Sequence, residues 1–177
     1  MSTEERLGSD IAFDGKIVRV RIDAVGLPGG RQVTREVVEH AASVVVVPVD
    51  ADGNVLLVRQ FRYPVGHSLL EAPAGGVETG ESPDDSAQRE LQEETGYASR
   101  DLLALGGFWM SPGYCTEYMH AYLARELVPS QLNPDEDEDI TVERVPIDRA
   151  TKLVRWGEVE DAKTIAALYM AMPMLDR

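Results

Sequence analysis

The sequence predicts an α+β fold in which a mixed sheet is layered with helices around one core. Three observations carry this. Alternating β-branched segments come in turn-linked pairs, one strand candidate is apolar at every position, and helical segments with clear start and stop signals fall between and after the strands. A chain of 177 residues fits one ordinary domain with room for a small additional sheet.

The elements follow in chain order. Lys16 to Val25 alternates, Gly26-Leu27-Pro28-Gly29-Gly30 turns, and Gln32 to His40 alternates again, which predicts an N-terminal antiparallel hairpin. Ser43 to Val49 and Val55 to Arg62 form a second pair about the turn Asp50-Ala51-Asp52-Gly53-Asn54. The unbroken run Val44 to Val47 predicts a strand buried on both faces. Leu69 to Ala72 reads as a short strand leading into Pro73-Ala74-Gly75-Gly76. Ser82-Pro83-Asp84-Asp85 combines a capping serine, a first-turn proline and acids suited to the positive end of a helix dipole. That helix should run to Thr95 and stop at Gly96. Leu102 to Trp109, Glu117 to Arg125 and Thr141 to Pro146 are further strands, and Asp148 to Trp156 and Asp161 to Met172 are helices. No internal repeat or low-complexity stretch interrupts the pattern. Residues 1–40 are expected to form an arm and residues 41–177 the main domain.

Composition excludes several classes. The apolar fraction of 44% and charged fraction of 27% are those of a globular chain. Seventeen basic against 31 acidic residues give a net charge of −14, the wrong sign for a protein that neutralises nucleic-acid phosphates. The single Cys115 rules out an internal disulfide and a multi-cysteine zinc site. The first ten residues lack a basic and then apolar leader. Apolar runs such as Val44 to Val49 are far short of the roughly 20 residues that span a bilayer. A cytoplasmic protein without a membrane partner is expected.

The negative charge is concentrated. Glu78, Glu81, Asp84, Asp85, Glu90, Glu93 and Glu94 stand against one Arg89 between Gly75 and Tyr97, and residues 135–139 are five consecutive acids. Like charges gathered this way repel unless they lie apart or a cation holds them. On the predicted helix Glu90 and Glu94 are four apart and Glu93 is three from Glu90, so all three share one neighbourhood, where Arg89 can pair with Glu93. Oxygen ligands at this density suit Mg²⁺ or Mn²⁺. Ala74-Gly75-Gly76, just before the helix, can bring backbone close to a ligand because glycine adds no bulk.

These residues match a known pattern. Gly75, then Glu81 after five residues, Arg89-Glu90-Leu91 after seven more, Glu93-Glu94 and Gly96-Tyr97 resemble the Nudix box of the Nudix hydrolases. Tyr97 stands where an aliphatic residue is more usual. Beyond the box, several segments resemble the ADP-ribose pyrophosphatase branch of that family. They are Arg59-Gln60-Phe61-Arg62, Leu70-Glu71-Ala72-Pro73-Ala74-Gly75, Ser111-Pro112-Gly113-Tyr114, and the acid-rich segment before Ile140-Thr141-Val142. The similarity runs from about Arg35 to Met170.

The resemblance implies a Nudix α/β/α sandwich with a mixed sheet and an N-terminal antiparallel sheet. It also implies Mg²⁺-dependent hydrolysis of ADP-ribose to AMP and ribose 5-phosphate, with Mn²⁺ an alternative metal. Such chemistry needs neutralised phosphates, a positioned water and a base. By position in the family pattern, Glu90, Glu94 and the Ala74 carbonyl would hold metal. Glu93 would add a ligand or a water bridge, Arg89 would orient the carboxylates, and Glu81 would lock loop to helix. Glu136 is the expected base and Glu138 a further metal contact; Asp135, Asp137 and Asp139 are rivals for the base. Arg35, Arg62, Pro112 and Glu117 take substrate-side positions, although Arg35 could equally pair with Glu36 or Glu39. The N-terminal strands imply a homodimer with a swapped sheet. Another nucleoside diphosphate sugar such as GDP-mannose is the alternative substrate. A non-catalytic ligand sensor is the third reading, disfavoured because the box carboxylates are all present and no basic extension follows Arg177.

Overall fold

The computed structural model describes residues 3–132 and 139–175. By internal contacts the chain forms two compact units, one of residues up to Ala42 together with Trp109–Tyr118, the other of Ser43–Phe108 together with the chain from Met119 onward.

The first unit is a three-stranded antiparallel sheet in sequence order. It consists of β1 (Glu5–Asp14), β2 (Arg19–Gly26) and β3 (Gln32–Glu39). The expected hairpin is β2–β3, turning through Gly29 and Gly30 at φ of +93° and +86°, which glycine adopts without strain. No strand is expected before it from the sequence. β1 pairs with β2 along its whole length although every β1 residue is exposed. Its pairing shifts register at Arg6/Gly8 and Ile11/Phe13, and with every residue exposed it has no buried face of the kind that marks a half-buried strand. The segment 109–118 adds to the outer edge of β3, with Val38 N donating to Tyr114 O at 2.7 Å and Thr116 N to Val38 O at 2.9 Å.

The second unit is built on a mixed sheet of order β7-β4-β9-β8, formed by β4 (Ser43–Pro48), β7 (Ala74–Gly76), β8 (Tyr97–Trp109) and β9 (Tyr118–Pro129). β4 runs parallel to β9 and antiparallel to β7. A second, antiparallel sheet has the order β10-β5-β6, from β5 (Asn54–Arg62), β6 (His67–Glu71) and β10 (Ile140–Pro146). The helices are α1 (Pro83–Thr95), α2 (Ile147–Trp156) and α3 (Ala162–Leu175). All six β4 residues are buried, as an unbroken apolar run requires, and the strand touches α1, α3 and β5.

α1 begins as its sequence dictates. Ser82 Oγ accepts from Asp85 N at 3.2 Å, and Gly96 closes the helix in the left-handed conformation at φ +77°. Tyr122 on β9 donates to Asp84 at 2.7 Å, which fixes the first turn against the sheet. Ala87 and Leu91 pack with Val44, Val46, Tyr122 and Ala124. Burying Leu91 alone contributes about 2 kcal/mol. The same rotation of the helix that buries Ala87 and Leu91 carries Glu90 and Glu94 inward with them.

Candidate active site

The site is assembled by α1 and the short strand β7. Glu90 and Glu94 are 8% and 5% exposed. Glu94 borders Ala74, whose N–H lies 3.3 Å from its Oε2, and Glu90 borders Gly75 so closely that a Cβ there would sit 2.0 Å from its Oε1. β4 holds β7 in place through the pairs Val45–Ala74 and Val44–Gly75, while Val46 N donates to Pro73 O. Two buried carboxylates on consecutive turns therefore flank the Ala74–Gly75 backbone.

Arg89 clamps the opposite side of this arrangement. Nη1 donates to Glu90 at 2.6 Å and to Glu93 at 3.0 Å, Nε and Nη2 reach both oxygens of Glu81, and Nη2 also bonds the Gly76 carbonyl at 2.9 Å. Burial opposes the charge on Arg89, but its bonds to Glu81, Glu90 and Glu93 outweigh that, and its pKa is raised. Glu81 is held below the usual carboxylate range by Arg89 and then by Ser86, whose hydroxyl donates to it at 2.6 Å. The expected i, i+4 pair of Arg89 with Glu93 is present. Through these bonds Arg89 joins Glu81 and the Gly76 carbonyl to the helix carboxylates Glu90 and Glu93.

Buried oxygen donors of this kind fit a small hard divalent cation better than a soft one. Among the described residues no group of three or more His, Cys, Asp or Glu side chains is gathered for a metal ion. An ion held here would take Glu90, Glu94 and main-chain oxygen, with the rest of its shell from elsewhere. Glu136 and Glu138, with Asp135 and Asp137, lie outside the described residues.

The other candidates separate. Arg62 turns Nε and Nη2 onto the two oxygens of Glu71 at 2.8 Å each, and it lies near enough to Glu94 for their charges to interact. Arg35 pairs with Glu4 at 2.7 Å, not with Glu36 or Glu39, because the residue just before β1 supplies a carboxylate that the hairpin alone lacked. Glu39 instead meets Arg21 at 2.9 Å. Glu117 stands 3.8 Å from His40 Nδ1, and Pro112 occupies the turn in which Tyr114 N and Cys115 N both donate to Ser111 O. Arg35, Pro112 and Glu117 belong to the first unit, and Arg62 and the acidic helix to the second. Glu71 is an ion-pair centre outside the expected set; its signal is a lone acid inside the apolar run Leu69-Leu70-Glu71-Ala72. Lys163 and Thr164, which also engage this region, sit in a helix that reads as ordinary packing.

A family model for the NUDIX domain matches residues 39–168. The chain is 40% identical over 167 residues to the ADP-ribose pyrophosphatase of Bacillus subtilis, covering 93% of this chain and 90% of that one. It is 37% identical to the ADP-ribose pyrophosphatase of Mycobacterium tuberculosis, covering 93% and 81%. A crystal structure of an ADP compounds hydrolase superposes with a TM-score of 0.89 at 24% identity, covering 98% of this chain and 94% of that one, which shows the shared fold. The chain belongs to the NUDIX domain family and is a Nudix hydrolase.

Proposed function

We propose that this enzyme hydrolyses the pyrophosphate bond of ADP-ribose, with Mg²⁺, to AMP and ribose 5-phosphate. The observation that carries the reading is the pair of buried carboxylates, Glu90 and Glu94, set against the Ala74–Gly75 backbone by a helix that Arg89 clamps. Similarity along nearly the whole chain to two ADP-ribose pyrophosphatases supports the substrate. A bound divalent ion would neutralise the diphosphate and favour attack by water. Glu90, Glu94 and the Ala74 carbonyl are its proposed ligands, Glu138 a further one, and Glu136 the base that takes the proton from water. Glu93 adds a further ligand or a bridge through water, and Arg89 keeps the helix carboxylates oriented. Arg35, Arg62, Pro112 and Glu117 are the proposed substrate contacts, Arg62 facing phosphate because guanidinium matches its oxygens.

The arm of residues 1–40 is proposed to join two copies of the chain. Leu7, Ile11, Phe13 and Ile17 are all exposed on or beside β1, which supports a homodimer with an exchanged sheet. Sedimentation of wild type and Phe13→Glu tests it: a dimer that the variant dissociates supports the proposal, and a wild-type monomer overturns it. No helix among the described residues is long and apolar enough to cross a membrane, and the proposed place of action is the cytoplasm.

The substrate test is a product analysis with equal concentrations of ADP-ribose, GDP-mannose, UDP-glucose, a diadenosine polyphosphate and a nucleoside triphosphate. AMP and ribose 5-phosphate formed fastest from ADP-ribose, and abolished by EDTA, are expected. Faster cleavage of GDP-mannose would keep the metal site and overturn the substrate.

A further inference from the structure

The first turn of α3 makes contacts that the pyrophosphatase chemistry above leaves unused. Glu71, at the end of β6, is 1% exposed and is gripped from two sides. Arg62 forks onto both of its oxygens at 2.8 Å, and Lys163 Nζ bonds its Oε2. Lys163 also lies 3.1 Å from Asp161, and both of these side chains are 13% exposed. Asp161 caps α3, accepting from Thr164 N at 2.9 Å and Thr164 Oγ1 at 2.5 Å. The fully buried Thr164 Oγ1 in turn accepts from Ala72 N at 2.7 Å, two residues before Ala74. Arg62, Glu71, Lys163 and Asp161 thus alternate in sign and form a neutral set.

Charge balance at Glu71 does not require a lysine, because a bidentate arginine already satisfies that carboxylate. A second buried cation adds desolvation cost, and what it adds in return is direction. With Lys163 fixed on Oε2, the carboxylate plane is set, and so is the guanidinium plane that forks onto it. Arg62 is the member of the set that reaches outward: its side chain is 35% exposed and lies beside Glu94. Two of its three nitrogens are engaged by Glu71, so the fork fixes the direction in which the third, Nη1, points.

We propose that Lys163 is a positioning residue that, through Glu71, holds the Arg62 guanidinium at one angle for the diphosphate of the substrate. The inference rests on the pyrophosphatase reading and on Arg62 as its phosphate contact.

A double-mutant cycle tests it, run on whichever nucleoside diphosphate the wild type cleaves fastest. Lys163→Gln should raise KM about tenfold and change kcat less than about threefold, the signature of lost binding rather than lost chemistry. The decisive readout is coupling. In an Arg62→Ala background, Lys163→Gln should raise KM no further, because its effect passes through Arg62. An equal KM rise in both backgrounds, or a loss confined to kcat, overturns the proposal. If the Gln variant does not fold, Lys163→Arg enters the same cycle: a KM effect that vanishes in Arg62→Ala supports the relay, and additivity or no effect overturns it. A wild type that cleaves no nucleoside diphosphate overturns the pyrophosphatase reading and the relay with it. Wild-type turnover with an additive cycle overturns the relay alone.

Discussion

The carboxylate of Glu90 fills the space that a side chain on Gly75 would occupy: an added Cβ would lie 2.0 Å from Oε1 and 2.2 Å from Cδ. The glycine is therefore required by the enzyme's own acid. A residue of α1 and a residue of β7 fifteen positions apart in the sequence are interlocked.

Gly75→Ala should leave the fold intact but push the Glu90 carboxylate aside. A displacement of about 1 Å at a reacting centre costs about 100-fold in rate. Steady-state kcat, with circular dichroism to confirm folding, checks this. Activity within a factor of about two of wild type would show that Glu90 does not need its present position.

Glu94→Gln keeps the size of the side chain and its acceptor for Ala74 N–H, and removes only charge. If Glu94 binds metal, turnover should fall by about 10²–10³. A titration of activity with Mg²⁺ should have its midpoint at a higher concentration than in wild type, and near-wild-type turnover would remove Glu94 from the ligand set.

Arg89→Lys preserves the charge but not the fork. Arg89 donates to both oxygens of Glu81, to Glu90, to Glu93 and to the Gly76 carbonyl, which one ammonium cannot serve together. Stability should drop by about 1–2 kcal/mol, with kcat down at least about tenfold as Glu90 and Glu93 lose their common partner. Urea unfolding and initial rates measure the two effects separately.

Acid should unfold the protein through Glu71. Burial works against its charge, but Arg62 and Lys163 prevail and hold its pKa below the ordinary 4.5. The stabilisation is therefore complete above pH 4.5 and is lost as pH falls through the lowered value. Urea midpoints should be flat from pH 7 to about 5 and decline below it. In Glu71→Gln that part of the decline should be missing, on a lower plateau.

Ser82→Ala removes the acceptor for Asp85 N and should cost about 1 kcal/mol, or about 2–4 °C in Tm for a domain of this size. Differential scanning calorimetry checks it. Because Ser82 touches no carboxylate of the Glu90–Glu94 pair, kcat at 25 °C should be unchanged.

Local rules accounted for much of the fold. The limits of α1 were legible because Ser82, Pro83 and Gly96 each act within one turn of their own position. The burial of β4 was legible because four consecutive valines cannot face water. β1 was not legible: only three large apolar residues, Leu7, Ile11 and Phe13, mark it, it buries no face, and only β2 beside it makes it a strand. The extension of β8 back to Tyr97 was hidden for a similar reason, since Ala98 to Asp101 carries no clear period. At the site, the sharing of one helix face by Glu90, Glu93 and Glu94 followed from helical geometry alone. That Glu90 and Glu94 go inward while Glu93 stays half-buried depended on which side of α1 meets the sheet.

What the sequence determined by itself is the acidic helix, its caps, its motif spacing and hence the family, because each depends on contacts a few residues apart. What only the tertiary structure decided is the partner of each charge that pairs beyond its own element. Glu4 takes Arg35, Glu71 takes Arg62 and Lys163, and Glu90 takes the space at Gly75. Ion pairs are chosen by distance in space, and positions 31, 9 and 92 residues apart come within reach only after strands and helices have packed.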